Sequence, residues 1–512
     1  MINSDNMNIL KNKMKLHPFL FSIFPGIFFF SMNSQEILFQ DILVLSSIFV
    51  IITFGIILLC GLFIKKNESI GMIISIGFIL FFSYGHIYNL INNNFELAQS
   101  ILLGIFLVLF AISVFYLLKT KRKLNNLSKI ANVVGMTLIV ISASNLLLEN
   151  FQGNYSLDLV SISSKNIELI DSQIYDYPDV YYIILDAYSG QEILIEEFGY
   201  DNNEFITFLE KNGFHVVKDS QSNYAQTYFA LPSVMNMEYL ECTENFDGCI
   251  NRSTTFQMIQ NNEVMQRFVQ EGYSLVNAYS GWKPTSNFEL VNTNLCGKYY
   301  TNFINPELTT AIFSNSILNP VYVFLFEDDK REQILCIFSE ISKVHQNINQ
   351  PAFIFAHIHV PHYPYVFGAN GEPTSPERLE MGWEGEEDDK EGYLEQLKFT
   401  NKMMKEVITE IKNNSDKEPI IIVQGDHGYK AKFNDVNNPT EQELRVRFSN
   451  INAYHIPEKD FSEYGNITSI NTFRIVFNEL FNDNLEMQEN LSYWFHDESP
   501  AYFEDITSIL KK

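Results

Sequence analysis

Cysteine and basic residues are scarce in this sequence, and these shortages exclude two classes of protein. Five cysteines in 512 residues are too few for a fold held together mainly by disulfides. The 35 lysines and arginines are outnumbered by 61 aspartates and glutamates, which leaves a formal net charge of −26. A chain with this charge has no bulk attraction for phosphate backbones, so we expect no nucleic-acid partner.

Charged residues of either sign are also few, at 19% of the chain. The mean hydropathy of −0.03 averages an apolar first 150 residues with an acidic remainder. We therefore predict two domains, a transmembrane domain over residues 1–150 and a second domain over residues 151–512.

Five apolar stretches fill the first 150 residues. The last four approach or exceed the ~20 residues that cross a bilayer as a helix, whereas the first is shorter and contains Pro25. The stretches are His17–Met32, Ile42–Ile64, Ile70–Ile91, Ala98–Leu118 and Ile130–Leu148. None carries a charged residue near its centre, which favours a membrane anchor over a transporter. We predict a bundle of about five transmembrane helices.

Lysine and arginine occur in alternate connections between these stretches. Basic residues precede the first stretch, follow the second, and lie between the fourth and fifth, while the other two connections contain none. Basic connections stay on the cytoplasmic side of a membrane. The pattern predicts a multi-pass protein of the plasma or inner membrane, with a cytoplasmic N-terminus and an extracytoplasmic second domain.

In residues 151–512, short apolar runs alternate with helical patterns. Predicted strands are Val180–Leu185, Tyr273–Asn277, Ala352–Ala356, Pro419–Val423 and Ile451–His455. Predicted helices are Asn202–Asn212, Thr255–Glu271, Gly392–Asn413 and Ile470–Phe481. Near-continuous apolar strands between helices are typical of a parallel sheet covered on both faces. The second domain is therefore predicted to be α/β, with a central, mostly parallel sheet.

Acidic and histidine residues follow three of these strands where each strand ends. Asp186 follows the first predicted strand, His357–His362 the third, and Asp426 with His427 the fourth. The carboxyl ends of parallel strands share one edge, and Asp and His are ligands for divalent ions such as Zn or Mn. Each also has a simpler interpretation: a helix N-cap, an ordinary loop and a glycine turn, respectively. Their coincidence at three strand ends favours a metal site.

A polar segment, Ser222–Ser233, contains a candidate reacting group. Thr227 is expected near the start of a helix, where backbone N–H groups and the helix dipole stabilise an anion. A bound divalent ion would favour its alkoxide further. The simpler interpretation of Thr227, taken alone, is that it caps the helix.

Together these features resemble one known family. The chain resembles the sulfatase-like branch of the alkaline phosphatase superfamily, and it is similar to membrane-anchored members such as lipoteichoic acid synthases and phosphoethanolamine transferases. The resemblance covers roughly Pro178–Thr507 and includes the order of the motifs along the chain. The segments that carry it are Tyr182–Tyr188, Ser222–Thr227, His357–Pro364, Tyr393–Gln396, Gly425–Gly428 and Asn471–Arg474.

The resemblance implies a role for each matching residue. Asp186, Asp426 and His427 are implied ligands of one divalent metal ion, which is Mn, Zn or Mg. Thr227 is implied to be both a fourth ligand and the nucleophile.

Three histidines complete the implied site. His362 is the implied contact to the transferred group or to the leaving oxygen, and His357 and His359 are weaker candidates. The clear second ligand set of two-metal alkaline phosphatases is not evident in the sequence, although His359 could contribute to a second ion.

The implied activity is phosphotransfer or phosphodiester cleavage on an envelope lipid or glycan, by an enzyme embedded in the lipid bilayer. True sulfatases carry a Cys-x-Pro-x-Arg type sequence, and this chain has none. Thr227 therefore favours phosphoryl over sulfuryl chemistry. A sulfatase or phosphatase-type hydrolase of the same fold, and a catalytically silent membrane scaffold, are the alternatives.

Four of the five cysteines lie in the second domain, where disulfides are possible outside the cytoplasm. Cys242 and Cys249 are the simplest predicted pair because the loop between them is short. The alternative is that all four are free buried thiols.

Overall fold

The structure, a computed structural model of the chain, describes residues 15–32, 39–64, 66–95, 99–151, 177–240, 252–286, 288–297, 312–313, 315–346, 348, 351–374, 389–429, 435, 438–462, 464–496 and 502–511. Contacts within the chain divide it into two compact units. The first comprises Met1–Ser156 and Thr301–Phe324, and the second comprises Leu157–Tyr300 and Leu325–Lys512.

The first unit is built on five apolar helices. They are α1 (His17–Met32), α2 (Phe39–Phe63), α3 (Asn67–Phe95), α4 (Gln99–Lys119) and α5 (Asn125–Phe151). Helices α2 to α5 each contain a segment of 20 to 23 residues that is long and apolar enough to cross a membrane. Helix α1 has 16 residues. At 1.5 Å per residue it extends about 24 Å, short of the ~30 Å hydrocarbon core of a bilayer. The predicted series of apolar N-terminal helices is confirmed.

The second unit contains a seven-stranded sheet with the order β2-β7-β6-β1-β5-β3-β4. Its strands are β1 (Val180–Leu185), β2 (His215–Val216), β3 (Ser274–Ala278), β4 (Thr293–Leu295), β5 (Ala352–Ile358), β6 (Ile420–Gln424) and β7 (Asn452–His455). Strands β4, β3, β5, β1 and β6 are parallel, and β7 runs antiparallel to both of its neighbours. A separate hairpin pairs β8 (Tyr493–His496) with β9 (Tyr502–Asp505). The predicted α/β fold with a mostly parallel sheet is confirmed.

Helices alternate with these strands along the chain, and several of them cover the two faces of the sheet. They are α6 (Gln191–Phe198), α7 (Asn203–Lys211), α8 (Thr227–Asn236), α9 (Arg252–Gln260), α10 (Glu263–Gln270), α11 (Lys283–Ser286), α12 (Asn319–Ile341), α13 (Lys390–Asn414), α14 (Glu441–Phe448), α15 (Thr472–Phe481) and α16 (Thr507–Leu510). The predicted helix Thr255–Glu271 is wrong as a single element, because α9 ends before Asn262 and α10 begins after it. The Asn262 side chain accepts a hydrogen bond from the Met265 backbone N–H at 2.8 Å, which caps α10.

The central strand β1 divides the core into two layers. Its alternate residues Tyr181, Ile183 and Leu185 pack in one buried cluster with residues of α12 and α13. Val180, Tyr182 and Ile184 pack in the other cluster, with residues of α8, α10 and α15. Because both faces of β1 are buried, its sequence is apolar throughout rather than alternating.

A disulfide joins Cys296, just after β4, to Cys336 on α12. The alternative considered for this domain, that all four of its cysteines are free thiols, is therefore wrong for these two. The predicted Cys242–Cys249 pair lies outside the described residues. The bridge closes a long loop, which restricts the unfolded chain more than a short loop does.

Candidate active site at the carboxyl edge of the sheet

Three adjacent strands deliver the predicted site residues to one edge of the sheet. Strand β1 lies between β5 and β6, and Ile184 is in register with His357 of β5 and Gln424 of β6. Asp186 follows β1 directly, and Asp426 comes two residues after β6. Parallel pairing therefore brings together side chains that are far apart in the sequence.

Asp186, Asp426 and His427 form a buried cluster in which one potential ligand atom from each residue lies within 4.8 Å of the others. The His427 Nε2 atom is 3.8 Å from Asp186 Oδ1 and 3.5 Å from Asp426 Oδ2. The His427 Nδ1 atom donates to the Gly428 carbonyl at 2.8 Å, because a carbonyl oxygen only accepts. That hydrogen bond leaves Nε2 of the neutral ring with its lone pair available to the cluster.

Two glycines allow the loop that carries Asp426 and His427 to approach the neighbouring backbone. A Cβ atom on Gly428 would lie 2.3 Å from the Val446 carbonyl oxygen, and one on Gly425 would lie 2.7 Å from the Tyr188 carbonyl oxygen. Neither distance is possible for a larger residue without movement of the backbone. Packing around the cluster therefore requires both glycines of the Gly-Asp-His-Gly sequence.

Thr227 is the first residue of α8, and its hydroxyl is directed at this cluster. It donates to Asp426 Oδ2 at 2.6 Å, and its oxygen lies 3.2 Å from His427 Nε2. The N-cap residue of α8 is Gln226, which makes no side-chain cap hydrogen bond. Thr227 is half-buried, whereas the cluster it faces is buried, so a substrate can reach its hydroxyl.

The histidines at the end of β5 and just after it divide between two places, and His357 itself lies within the strand. His357 is fully buried, with its Nε2 atom 3.4 Å from Asp186 Oδ2. The His359 ring contacts the His357 ring edge-on, with a centroid separation of 4.7 Å. His362 is half-buried, and its ring centroid lies 6.4 Å from that of His427. The structure thus brings His362 beside the cluster and His357 against the opposite side of Asp186.

A buried amide holds the His362 loop in place, at a residue of the Tyr393–Gln396 segment for which the resemblance implied no role. The Gln396 side chain on α13 donates to the His362 carbonyl at 2.8 Å and accepts from the Val366 N–H at 2.8 Å. One helical turn earlier, the Tyr393 hydroxyl donates to the Ala187 carbonyl at 2.9 Å. Both residues lie in the Tyr393–Gln396 segment that carries part of the family resemblance, but neither is of a metal-ligand or nucleophile pattern that would assign it a role in the site.

Burial and neighbouring charge shift the pKa values of several groups in the metal-free site. Burial, with a smaller contribution from the negative charge of Asp426, raises the pKa of Asp186 to about 7. Burial lowers the pKa of His357 to about 4, and it holds the pKa of His359 well below its usual value. At neutral pH both histidines are therefore neutral imidazoles, the form that binds metal ions.

The cluster fits a divalent metal ion. Among the described residues, the buried Asp186 Oδ1 atom has no hydrogen-bond partner. A buried carboxylate is costly unless a cation or hydrogen bonds compensate it. Oxygen atoms from Asp and Thr with an imidazole nitrogen form a donor set suited to Zn or Mn, and less specifically to Mg.

Comparison with known proteins identifies the family. The chain belongs to the sulfatase family: the profile described as Sulfatase matches residues 178–457, which is more than half of the chain. This match confirms the resemblance to the sulfatase-like branch of the alkaline phosphatase superfamily. It also confirms the classification of the chain with the hydrolases and transferases of this fold. No curated protein sequence matches the chain.

Several solved structures are similar to part of the chain at low sequence identity. The C-terminal periplasmic domain of EptC from Escherichia coli, in complex with Zn, is 12% identical, with a TM-score of 0.41 over 66% of this chain and 95% of that one. The lipoteichoic acid synthase LtaP from Listeria monocytogenes is 12% identical, with a TM-score of 0.39 over 67% and 92%. The soluble domain of lipooligosaccharide phosphoethanolamine transferase A from Neisseria meningitidis is 11% identical, with a TM-score of 0.39 over 61% and 91%.

Proposed function

We propose that the protein is a membrane-anchored, divalent-metal-dependent phosphotransferase or phosphodiesterase that uses Thr227 as its nucleophile. Its substrate would be a phosphoester of an envelope lipid or glycan. The observation that carries the proposal is the position of the Thr227 hydroxyl, at the first turn of a helix and 2.6 Å from Asp426 within a buried cluster of metal-ligand type. A threonine that only capped the helix would have no reason to face two carboxylates and an imidazole.

Asp186, Thr227, Asp426 and His427 would hold the metal ion. When bound, the ion supplies positive charge that stabilises the threonine alkoxide and the oxygens of the transferred phosphoryl group. Zn or Mn suits the donor set best, and Mg is the third candidate.

The chain's own residues would carry out the transfer in two steps. The Thr227 hydroxyl proton leaves along the hydrogen bond to Asp426, the Oγ1–P bond forms, and the P–O bond to the leaving group breaks. His362 contacts the transferred group and gives a proton to the leaving oxygen. A second hydroxyl, from water or an acceptor, would then attack phosphorus, and the P–Oγ1 bond to Thr227 would break. The proton of the attacking hydroxyl would pass to His362, and the Thr227 oxygen would recover its proton from Asp426. The positive N-terminal end of α8 stabilises the Thr227 anion throughout.

The series of five apolar N-terminal helices and the distribution of basic residues support a plasma- or inner-membrane location with the catalytic unit outside the cytoplasm, because five crossings place the N-terminus and the catalytic unit on opposite sides. The Cys296–Cys336 disulfide is consistent with this, because disulfides persist in oxidising compartments. Protease added to intact cells should degrade the second unit and leave a cytoplasmic N-terminal tag intact. Degradation of the tag alone would contradict the orientation.

The enzymatic proposal is tested with the full-length chain in detergent. Chromogenic phosphodiester, phosphomonoester and sulfate ester substrates would be compared for the wild type, Thr227→Ala and Thr227→Ser. We expect metal-dependent diester turnover that falls at least ~10³-fold in Thr227→Ala and partly returns in Thr227→Ser. Thr409→Ala, an exposed threonine on α13, is the matched control and should have no effect.

Each other outcome points to a defined alternative. Turnover of the sulfate ester alone would identify a sulfatase-type hydrolase. Equal turnover in the wild type and Thr227→Ala would exclude Thr227 as the nucleophile. A chain that binds no divalent metal and turns over no ester would be a silent scaffold.

A further inference from the structure

The Asp186 carboxylate lies between two separate sets of ligand-type side chains. Its Oδ1 atom is 3.8 Å from His427 Nε2, on the side of the proposed catalytic ion. Its Oδ2 atom is 3.4 Å from His357 Nε2, and Asp186, His357 and His359 form a second set with ligand atoms all within 4.8 Å of one another. One carboxylate thus presents one oxygen to each set.

The surroundings of His357 allow a tautomer in which a nitrogen lone pair faces the Asp186 carboxylate. Its Nδ1 atom lies 3.1 Å from the buried Thr285 hydroxyl, which accepts the Nδ1 proton in the tautomer that leaves Nε2 unprotonated. The fully buried Nε2 atom has no hydrogen-bond partner among the described residues, despite its closeness to Asp186. Two electron-rich atoms at this distance repel each other unless a proton or a metal cation lies between them, and a metal ion can occupy this position when Asp186 is ionised.

We propose that Asp186, His357 and His359 hold a second divalent ion, so that the Asp186 carboxylate bridges two metal ions. The proposal rests on the function proposed above, because the first ion is the one held with Thr227. Two imidazoles and one carboxylate form a zinc-type donor set, and three protein ligands leave an open coordination position. His359 is half-buried, so this set of ligands lies closer to the surface than the fully buried His357 alone would indicate.

This assignment changes the role predicted for His357. It becomes a metal ligand instead of a direct substrate contact, while His362 keeps that contact. Thr285 becomes a positioning residue, since its hydroxyl orients the His357 ring.

Metal stoichiometry of the full-length chain tests the proposal without any assay of activity. The protein in detergent would be stripped with a chelator, equilibrated with zinc, freed of unbound metal and analysed for zinc content. We expect about two zinc ions per chain in the wild type and about one in His359→Gln or Asp426→Asn. Because His359 is half-buried, its replacement should leave the thermal unfolding of the metal-free chain unchanged. His215→Gln, at a half-buried histidine of β2, is the matched control and should keep both ions.

The variants separate failure of this inference from failure of the proposed function. About one ion in the wild type, retained in His359→Gln but lost in Asp426→Asn, would overturn the second site and leave the catalytic one. If His359→Gln binds one ion fewer than the wild type whereas Asp426→Asn binds as many as the wild type, the result would support the second site and contradict the first. Two ions that persist in both His359→Gln and His357→Gln would overturn the inference.

Discussion

Gln396 links helix α13 to the loop that carries His362, and its replacement by glutamate gives a prediction with a defined pH dependence. The side chain is fully buried and joins three backbone groups. Its oxygen accepts from the Val366 and Phe367 N–H groups at 2.8 and 3.3 Å, and its nitrogen donates to the His362 carbonyl at 2.8 Å. Glutamate has the same shape and keeps the accepting oxygen, so the substitution changes only the donor.

The cost of Gln396→Glu depends on the protonation of the new carboxyl group. When protonated, it donates to the His362 carbonyl as glutamine does. When ionised, it leaves that carbonyl without a donor and places a buried charge against it. The pKa of the new carboxyl group should therefore be raised in the folded state, so the stabilising interaction is present at low pH and is lost as pH rises through the raised pKa. A rise of about 2 pKa units corresponds to roughly 3 kcal/mol of lost stability at pH 8, and the loss should be below about 1 kcal/mol at pH 5.

Denaturant unfolding of the full-length chain in detergent, followed by tryptophan fluorescence, measures this difference. Each variant is compared with the wild type at the same pH, which removes the contribution of other titrating groups. Gln266→Glu, on the partly exposed face of α10, adds the same charge and should change stability by less than about 0.5 kcal/mol at either pH. An unchanged stability of Gln396→Glu at pH 8, or an equal loss at pH 5 and pH 8, would refute the reasoning.

Three further predictions follow from the structure. Replacing both Cys296 and Cys336 with serine should lower the free energy of unfolding by up to about 4 kcal/mol, from the 40-residue separation that the disulfide closes, and an unchanged denaturation midpoint would contradict this. Zinc affinity of the metal-free chain, measured by competition with a chromophoric chelator, should be roughly tenfold weaker at pH 6 than at pH 8, because the proton that Asp186 holds below about pH 7 must leave when the metal binds. A flat profile would exclude Asp186 as a ligand that titrates in this range. Gly428→Ala should cost more than about 2 kcal/mol in denaturant unfolding, whereas Gly297→Ala, where a Cβ meets nothing within 4 Å, should be nearly neutral, and equal effects would contradict the packing argument.

The parts of the fold predicted from the sequence are those with a strong local signal. Strand β1 matches its predicted bounds, Val180–Leu185, because a run of apolar and aromatic residues ends abruptly at an acidic one. Its burial on both faces made the run continuous, which in turn indicated a parallel sheet. The meeting of Asp186 and Asp426 followed from one rule, that parallel strands present their carboxyl ends at one edge.

Features that depend on long-range packing were not predictable. Strands β2 and β4 have two and three residues, too few to show any period. The partner of Cys296 is set by where α12 packs, whereas the sequence alone favoured the nearest pair of cysteines. Residues 301–324 belong to the first unit although they follow 144 residues of the second, and their composition does not indicate this.

The second set of metal-ligand residues could not be found in the sequence for a related reason. His357 and His359 are separated by one residue, and such a pair at the end of a strand is also common in ordinary loops. The shared carboxylate at Asp186 becomes evident only when the positions of its two oxygen atoms are known.

The role of Thr227 as the nucleophile is tested by identifying the residue that carries the covalent intermediate. The metal-loaded, full-length chain would be incubated briefly with an activated phosphodiester, quenched in acid and analysed by peptide mass spectrometry. We expect a phosphoester adduct on Thr227 that is absent in Thr227→Ala, and we expect no adduct on any histidine. An adduct on another residue, or turnover that persists at the wild-type rate in Thr227→Ala, would contradict it.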